Sequence, residues 1–242
     1  MKRSFLTATW HHLAMLNYEI DPEVLLPLVP AGTELDFWQG RTFVSMVGFL
    51  FLYTKVMGLS IPRHRNFTEI NLRFYVRRAA PDGWRRGVVF VKEIVPRRTI
   101  AAVARWVYNE NYVTHPMQSR VLLPHMATDG IGAVEYGWRS SFGEHVLRAH
   151  FTGGPHLPAA DSEAEFITEH YWGYVRRRRA SLEYRVEHPQ WRVWPACDAE
   201  LTGDSGGFYG GVYAGALTQP PSSAFVAEGS PIIVRQGEKI RG

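Results

Sequence analysis

A chain of 242 residues, 45% hydrophobic and 13% aromatic, can bury a large core, which excludes an intrinsically disordered protein. A net charge of +4 is too mild to mark nucleic-acid binding, which needs a concentrated basic patch. The single cysteine, Cys197, excludes an internal disulfide framework and cysteine-cluster metal sites, and fits a reducing compartment.

No stretch reads as a linker, so the expectation is one domain over residues 1–242. The run from His12 to Tyr18 is the first predicted strand. Asp21-Pro22-Glu23 then opens a short helix, with Asp at the N-cap, Pro at the first helical position and Glu at the positive end of the dipole. Residues 33–36 and 41–53 read as strands, with a turn at Trp38-Gln39-Gly40 between them. The most apolar segment runs from Phe43 to Leu59. It carries Lys55 and falls short of the ~20 apolar residues of a membrane-spanning helix. We expect it to be buried strand, and the protein to be soluble and cytoplasmic with no membrane partner.

Residues 66–76 alternate strictly. Ile70, Leu72, Phe74 and Val76 fall on one face of a strand, and Glu69, Asn71, Arg73 and Tyr75 on the other. After a Pro81-Asp82-Gly83 turn, a second strand over residues 87–95 ends at Pro96-Arg97-Arg98. From Thr99 the apolar period becomes three and four, predicting an amphipathic helix through Ile100, Val103, Ala104, Val107 and Tyr108. A loop containing Pro116 and Pro124 follows, then a hairpin around Ser141-Phe142-Gly143. A capping box, Ser162 with Glu165, starts another helix through Phe166, Ile167 and His170. Beyond the run Arg176-Arg177-Arg178-Arg179, the residues Leu182, Tyr184 and Val186 alternate as a strand. Trp191 to Trp194 extends the sheet, and Ile232-Ile233-Val234 is a last strand or an edge contact. Many short strands with few helices predict a mainly β (α+β) fold, a mostly antiparallel β-barrel with helices packed outside.

The stripe of Glu69, Asn71, Arg73 and Tyr75 places a carboxylate, an amide, a guanidinium and a phenol in one row, the composition a binding site needs. An antiparallel sheet also turns such a stripe to water, and the alternation leaves both readings open. Glu93 shares its expected face with Val89, Val91 and Val95, where a carboxylate either pairs or has a raised pKa. Lys92 is expected on the opposite face as a surface lysine. Arg97 and Arg98 stand at a strand-to-helix junction, where an anion is favoured, or are simply solvated. His11 and His12 are adjacent and face opposite sides of a strand, and no histidine spacing completes a zinc site. Neither a metal nor a cofactor is expected.

Residues 17–36 and 66–73 resemble the YqjF-like bacterial proteins, a domain of unknown function (2071). So do Gly87-Val88-Val89-Phe90, Glu93-Ile94-Val95-Pro96-Arg97 and Glu187-His188-Pro189-Gln190-Trp191. That family is remotely similar to acetoacetate decarboxylase, which implies a decarboxylase-like barrel with a buried site. Phe67-Thr68-Glu69 matches the aromatic-Thr-Glu segment of those enzymes, so the resemblance implies a site role for Glu69. Glu93 and Pro96 resemble the segment that carries the Schiff-base lysine, but Arg97-Arg98 stand where the lysines would be. A guanidinium stays protonated and cannot act as the amine nucleophile, which argues against Schiff-base decarboxylation.

Three functions are compatible with these residues. The first is binding of a small carboxylate or carbonyl compound, with Glu69, Arg73, Glu93 and Arg97 lining a pocket and Asn71, Tyr75 and Arg98 assisting. The second is a lyase or hydrolase that uses Glu69 or Glu93 as base and Arg97 to stabilise an anion. The third is a structural or partner-binding homo-oligomer that uses Arg176 to Arg179. None of the three calls for a nucleic-acid partner.

Overall fold

The computed structural model describes residues 3–60, 64–98, 111–177 and 180–240. The amphipathic helix predicted from Thr99, and Arg178 and Arg179 of the arginine run, lie outside the described residues.

Fourteen strands form one strongly curved sheet among the described residues. They are β1 (Ser4–Ile20), β2 (Glu34–Leu35), β3 (Thr42–Val56), β4 (Phe67–Ala80), β5 (Gly83–Val95), β6 (Tyr112–Thr114), β7 (Met117–Leu122), β8 (Ile131–Ser140), β9 (Gly143–Thr152), β10 (Trp172–Arg177), β11 (Ala180–Glu187), β12 (Val193–Thr202), β13 (Ser223–Arg235) and β14 (Glu238–Ile240). The path β11-β10-β5-β4-β3-β1-β13 returns on itself, because β11 also pairs with β13 through Val186–Val234 and Glu187–Ile233. Beyond β13 the sheet continues through β12, β9, β8 and β7. The β5–β10 and β5–β6 pairings are parallel. The other pairings are antiparallel, as the short turns between consecutive strands require.

The circuit divides the apolar residues into two cores. Strand β4 explains why, because both of its faces are covered. Ile70, Leu72, Phe74 and Val76 pack outward against β8, β9 and two short helices, α3 (Ser205–Tyr209) and α4 (Gly211–Leu217). Gly48 on β3 permits this outer layer, since a Cβ there would stand 2.6 Å from the Tyr136 ring. The opposite face of β4 turns into the circuit, where Phe43, Phe49, Phe51, Val88, Tyr184 and Trp191 make the inner core. A helix α2 (Glu163–Thr168) adds Phe166 and Ile167 to it.

Local sequence signals set several boundaries. The Asp21 carboxylate accepts from Glu23 N at 2.9 Å and Pro22 opens the first helix, α1 (Pro22–Leu25). Ser162 Oγ accepts from Glu165 N at 3.2 Å, while the Glu165 carboxylate reaches back to Asp161 N at 2.7 Å. That is one residue earlier than a standard capping box. Strand β13 is longer and more central than its Ile232-Ile233-Val234 core suggested, pairing with β1 over most of its length. The glycine-rich stretch after Leu201 forms α3 and α4. Strand β1 bulges at His12, where φ is 53°, and the His11 and His12 rings come to 5.3 Å. The bulge defeats the simple alternation that put them on opposite sides.

Candidate functional site

A cavity of about 170 Å³ lies inside the circuit, and its wall combines aromatic side chains with a short polar strip. Phe49, Phe51, Phe67, Phe90, Trp172 and Trp191 are among its apolar lining. Glu69, Asn71, Arg73 and Glu93 form the strip, together with Tyr112, His170 and His188. Glu69, Asn71 and Arg73, on the polar face of β4, therefore turn to this cavity.

Glu93 reaches this wall through a bulge. Strand β4 pairs Leu72 with Lys92 but Arg73 with Phe90, leaving Val91 as the extra residue on β5. Residues directly opposite on neighbouring strands share a face. Phe90 thus joins Arg73 on the cavity side, and past the bulge Glu93 joins Asn71. Straight alternation grouped Glu93 with Val89 and Val91, but these two point to the outer core. The same bulge turns Lys92 outward. It is no surface lysine: its ammonium donates to the Phe208 carbonyl and sits 4.3 Å from the Phe208 ring centroid. Burial lowers its pKa below the ordinary lysine value.

The carboxylates are tied at one end of the strip. Glu69 accepts from Asn71 Nδ2 at 3.3 Å and from the Tyr112 hydroxyl at 3.3 Å. Glu69, Asn71 and Glu93 are 3%, 2% and 1% exposed. Asn71 Oδ1 is buried with no hydrogen-bond partner among the described residues.

Arg73 lies two residues further along β4. It is 9% exposed and forms no ion pair with a carboxylate among the described residues. Its guanidinium donates instead to Ile167 O at 3.3 Å and to the Tyr75 hydroxyl at 3.4 Å, and touches Met15 Sδ at 3.8 Å. Tyr75 itself lies outside the cavity wall. Its hydroxyl is 2.6 Å from Ser45 Oγ, which donates to Asn17 Oδ1 at 2.6 Å. The phenol is therefore a support for Arg73.

Two histidines that composition and spacing left unassigned, His170 and His188, also belong to the wall. His170 Nε2 stands 3.1 Å from Asp36 Oδ2, which also accepts from Arg86 Nε at 2.7 Å. Burial alone would raise the Asp36 pKa, but the bonds from His170 and Arg86 outweigh it and hold the carboxyl below its ordinary value. Burial pushes His170 down to about 4, with the Arg86 and Arg73 charges adding to the effect and Asp36 opposing it. His188 is also lowered to about 4, first by burial and further by Arg73, against the Pro189 carbonyl that its Nδ1 contacts at 2.9 Å. Its ring stacks on Trp191 with centroids 4.0 Å apart. His188 and Trp191 fall in the segment 187–191 that carried part of the family resemblance, a signal that could have flagged them. Asp36 closes the segment 17–36 that also carried the resemblance, whereas nothing local marks His170, 134 residues away.

Sequence reasoning expected Glu69 and Arg97 to converge in one cavity, and they do not. Arg97 and Arg98 are exposed and lie outside the cavity wall. Strand β5 ends at Val95, and Pro96, with no N–H to extend the ladder, directs the chain out of the sheet. Among the described residues no lysine lines the cavity: Lys55 and Lys239 are exposed and Lys92 faces the outer core. No group of histidine, cysteine and carboxylate side chains among the described residues could hold a metal ion. No helix among them is long and apolar enough to cross a membrane.

Comparison with known proteins agrees with this fold. The chain is 26% identical over 198 residues to the uncharacterized protein YqjF of Bacillus subtilis (strain 168), covering 80% of this chain and 76% of that one. Among solved structures, the enduracididine biosynthesis enzyme MppR complexed with pyruvate superposes with a TM-score of 0.68 at 13% identity, over 99% of this chain and 91% of that one. An acetoacetate decarboxylase from Legionella pneumophila gives 0.68 at 10% identity, over 99% and 88%. An acetoacetate decarboxylase-like enzyme from Sphingomonas wittichii RW1 gives 0.67 at 12%, over 99% and 94%. At such identities the likeness establishes the fold alone, an acetoacetate decarboxylase-like curved β-sheet. The DUF2071 family, described as an uncharacterized conserved protein, matches residues 7–231. The chain belongs to the DUF2071 family.

Proposed function

We propose that the inner cavity binds a small carboxylate carried on an apolar body, with Arg73 as the anion clamp in the place expected of Arg97. The observation that carries this reading is the state of Arg73: a buried guanidinium in a cavity wall with no carboxylate partner among the described residues. A buried charge is costly unless it is paired, so the free protein leaves an anion site to be filled. The aromatic wall suits a hydrocarbon body, and a cavity of about 150 Å³ holds a benzene-sized molecule. One of the structural neighbours is a complex with pyruvate, itself a small carboxylate.

Catalysis on the same ligand is the second reading. Glu69 and Glu93 stand in the same wall as Arg73, and either could act as base toward a bound carboxylate in a lyase or hydrolase. Schiff-base chemistry is disfavoured, because an amine nucleophile is missing from the wall among the described residues.

The test is a thermal-stability and calorimetric titration with hexanoate, on the wild type and on Arg73→Met. At ten times its dissociation constant a ligand adds about 1.4 kcal/mol of stability. Stabilisation of the wild type that disappears in Arg73→Met supports the clamp. Equal stabilisation of both proteins, or of neither, overturns it.

A further inference from the structure

We infer that the cavity selects a carboxylate bearing a hydroxyl group, a small 2-hydroxy acid, over the matching keto acid, because His170 and His188 present unprotonated ring nitrogens beside Arg73. This inference rests on the carboxylate reading and specifies what must stand next to the carboxylate.

The assignment follows from what each ring already bonds. Asp36 is an ionised acceptor that also takes a bond from Arg86 Nε, so His170 Nε2 must carry the proton at that 3.1 Å contact. A neutral imidazole has one N–H, and here it is used. Nδ1, which points to the other side of the ring, is then a lone-pair acceptor. It is buried and has no hydrogen-bond partner among the described residues. His188 repeats the pattern with the nitrogens exchanged. Its Nδ1 faces the Pro189 carbonyl at 2.9 Å, so Nδ1 carries the proton and Nε2 is the acceptor. Both rings belong to the cavity wall, and both sense the Arg73 charge.

Protonation does not reverse these roles at neutral pH. Burial holds both imidazoles neutral, their pKa values lowered to about 4. Asn71 Oδ1 joins His170 Nδ1 as a second buried acceptor without a partner among the described residues. These acceptors stand in the same wall as Arg73, where Trp10 Nε1 and Thr54 Oγ1 are also buried without partners among the described residues, and a ligand satisfies the acceptors only by bringing donors. A hydroxyl next to a carboxylate can donate to a histidine nitrogen while the carboxylate meets Arg73. A ketone oxygen in the same place would face a lone pair and leave the acceptor unpaired, a mismatch that buried sites reject strongly.

Three probes separate the possibilities: hexanoate, 2-oxohexanoate and 2-hydroxyhexanoate, each titrated into the full chain. The expected result is that 2-hydroxyhexanoate binds roughly tenfold more tightly than hexanoate, the effect of one good hydrogen bond in a buried site. The keto acid should bind no better than hexanoate. In His170→Phe the affinity ratio of 2-hydroxyhexanoate to hexanoate should fall to about twofold or less, the remainder coming from His188. Nitrogen-15 NMR of the wild type provides a readout independent of any variant. His170 Nδ1 should resonate as an unprotonated nitrogen and move on addition of the hydroxy acid but not of hexanoate. Equal binding of all three probes, lost in Arg73→Met, would overturn the hydroxyl role while leaving the carboxylate reading intact. A preference for the keto acid, or a protonated Nδ1, would overturn it as well. Failure of all three to bind would remove both readings together.

Discussion

Arg73 rests on Tyr75. Its Nε donates to the phenol oxygen at 3.4 Å, and its guanidinium carbon stands 5.5 Å from the ring centroid. Residues two apart on a strand share a face, so β4 supplies both the charge and its support. Tyr75→Phe keeps the ring and deletes the hydroxyl. It also removes the contact to Ser45 Oγ, which stands between Tyr75 and Asn17. We expect a loss of about 1 kcal/mol in stability and a several-fold weaker hexanoate affinity, since the guanidinium loses one of its positioning bonds. Chemical denaturation and calorimetry on the same protein preparations measure both. Unchanged affinity would show that Ile167 and the packing around Met15 hold Arg73 without help.

Arg73→Met should separate stability from binding. Met fills most of the volume and removes a buried charge that has no carboxylate partner among the described residues. Replacing such a charge with an apolar side chain is often neutral or stabilising, by about 1 kcal/mol or more. The free variant should therefore melt at or above the wild-type temperature, although it no longer responds to hexanoate. A large drop in melting temperature would mean that the bonds to Ile167 O and Tyr75 outweigh the desolvation cost.

Acid should weaken the fold through His170. Its pKa is 6.5 when unfolded and about 4 when folded, so between these values the unfolded chain binds more protons. The stability is fully present above pH 6.5 and declines as the pH falls, by about 3 kcal/mol at pH 4 from this residue alone. Arg86 and Arg73 oppose the imidazolium and Asp36 favours it, and these are the charged groups that act on the ring. The bonds from His170 and Arg86 hold the Asp36 carboxyl below its usual pKa, which favours its ionised form in this window. Urea titrations at pH 7, 5.5 and 4 should show a steep wild-type decline and a shallower one for His170→Phe, with His188 contributing to the remainder. Parallel curves would exclude His170 as a source of the acid sensitivity.

Borohydride reduction in the presence of acetoacetate should leave the intact mass of the protein unchanged. Lys55 and Lys239 are exposed, and the Lys92 ammonium is occupied by the Phe208 carbonyl on the outer face of β5. A guanidinium cannot take the place of the amine. A reduced adduct mapped to Lys92 would require the bulge at Val91 to open and would overturn the account of that strand.

Much of the fold was legible in order along the chain, because its signals are local. The Asp21-Pro22 start of α1, the Ser162 cap of α2 and the alternation of β4 all appear where a few neighbouring residues decide them. The candidate site was legible in part, on β4, where Glu69, Asn71 and Arg73 share one face by strand periodicity. Glu93 was identified for the wrong set of neighbours, since a one-residue bulge exchanges the faces and leaves no mark in composition. Arg97 was placed in the site by its position in a motif, but the end of pairing at Val95 decides where it points.

Local order along the chain was enough to show which residues alternate, where α1 and α2 begin, and that lysine is missing from the segment where the resemblance would put it. The tertiary structure decided which face of each strand became the inside. Alternation divides a strand into two faces but is symmetric between them, and here both faces of β4 are buried. It also decided the pairing of Asp36 with His170, because hydrogen bonds across 134 residues depend on closure of the strand circuit and have no local periodicity to announce them.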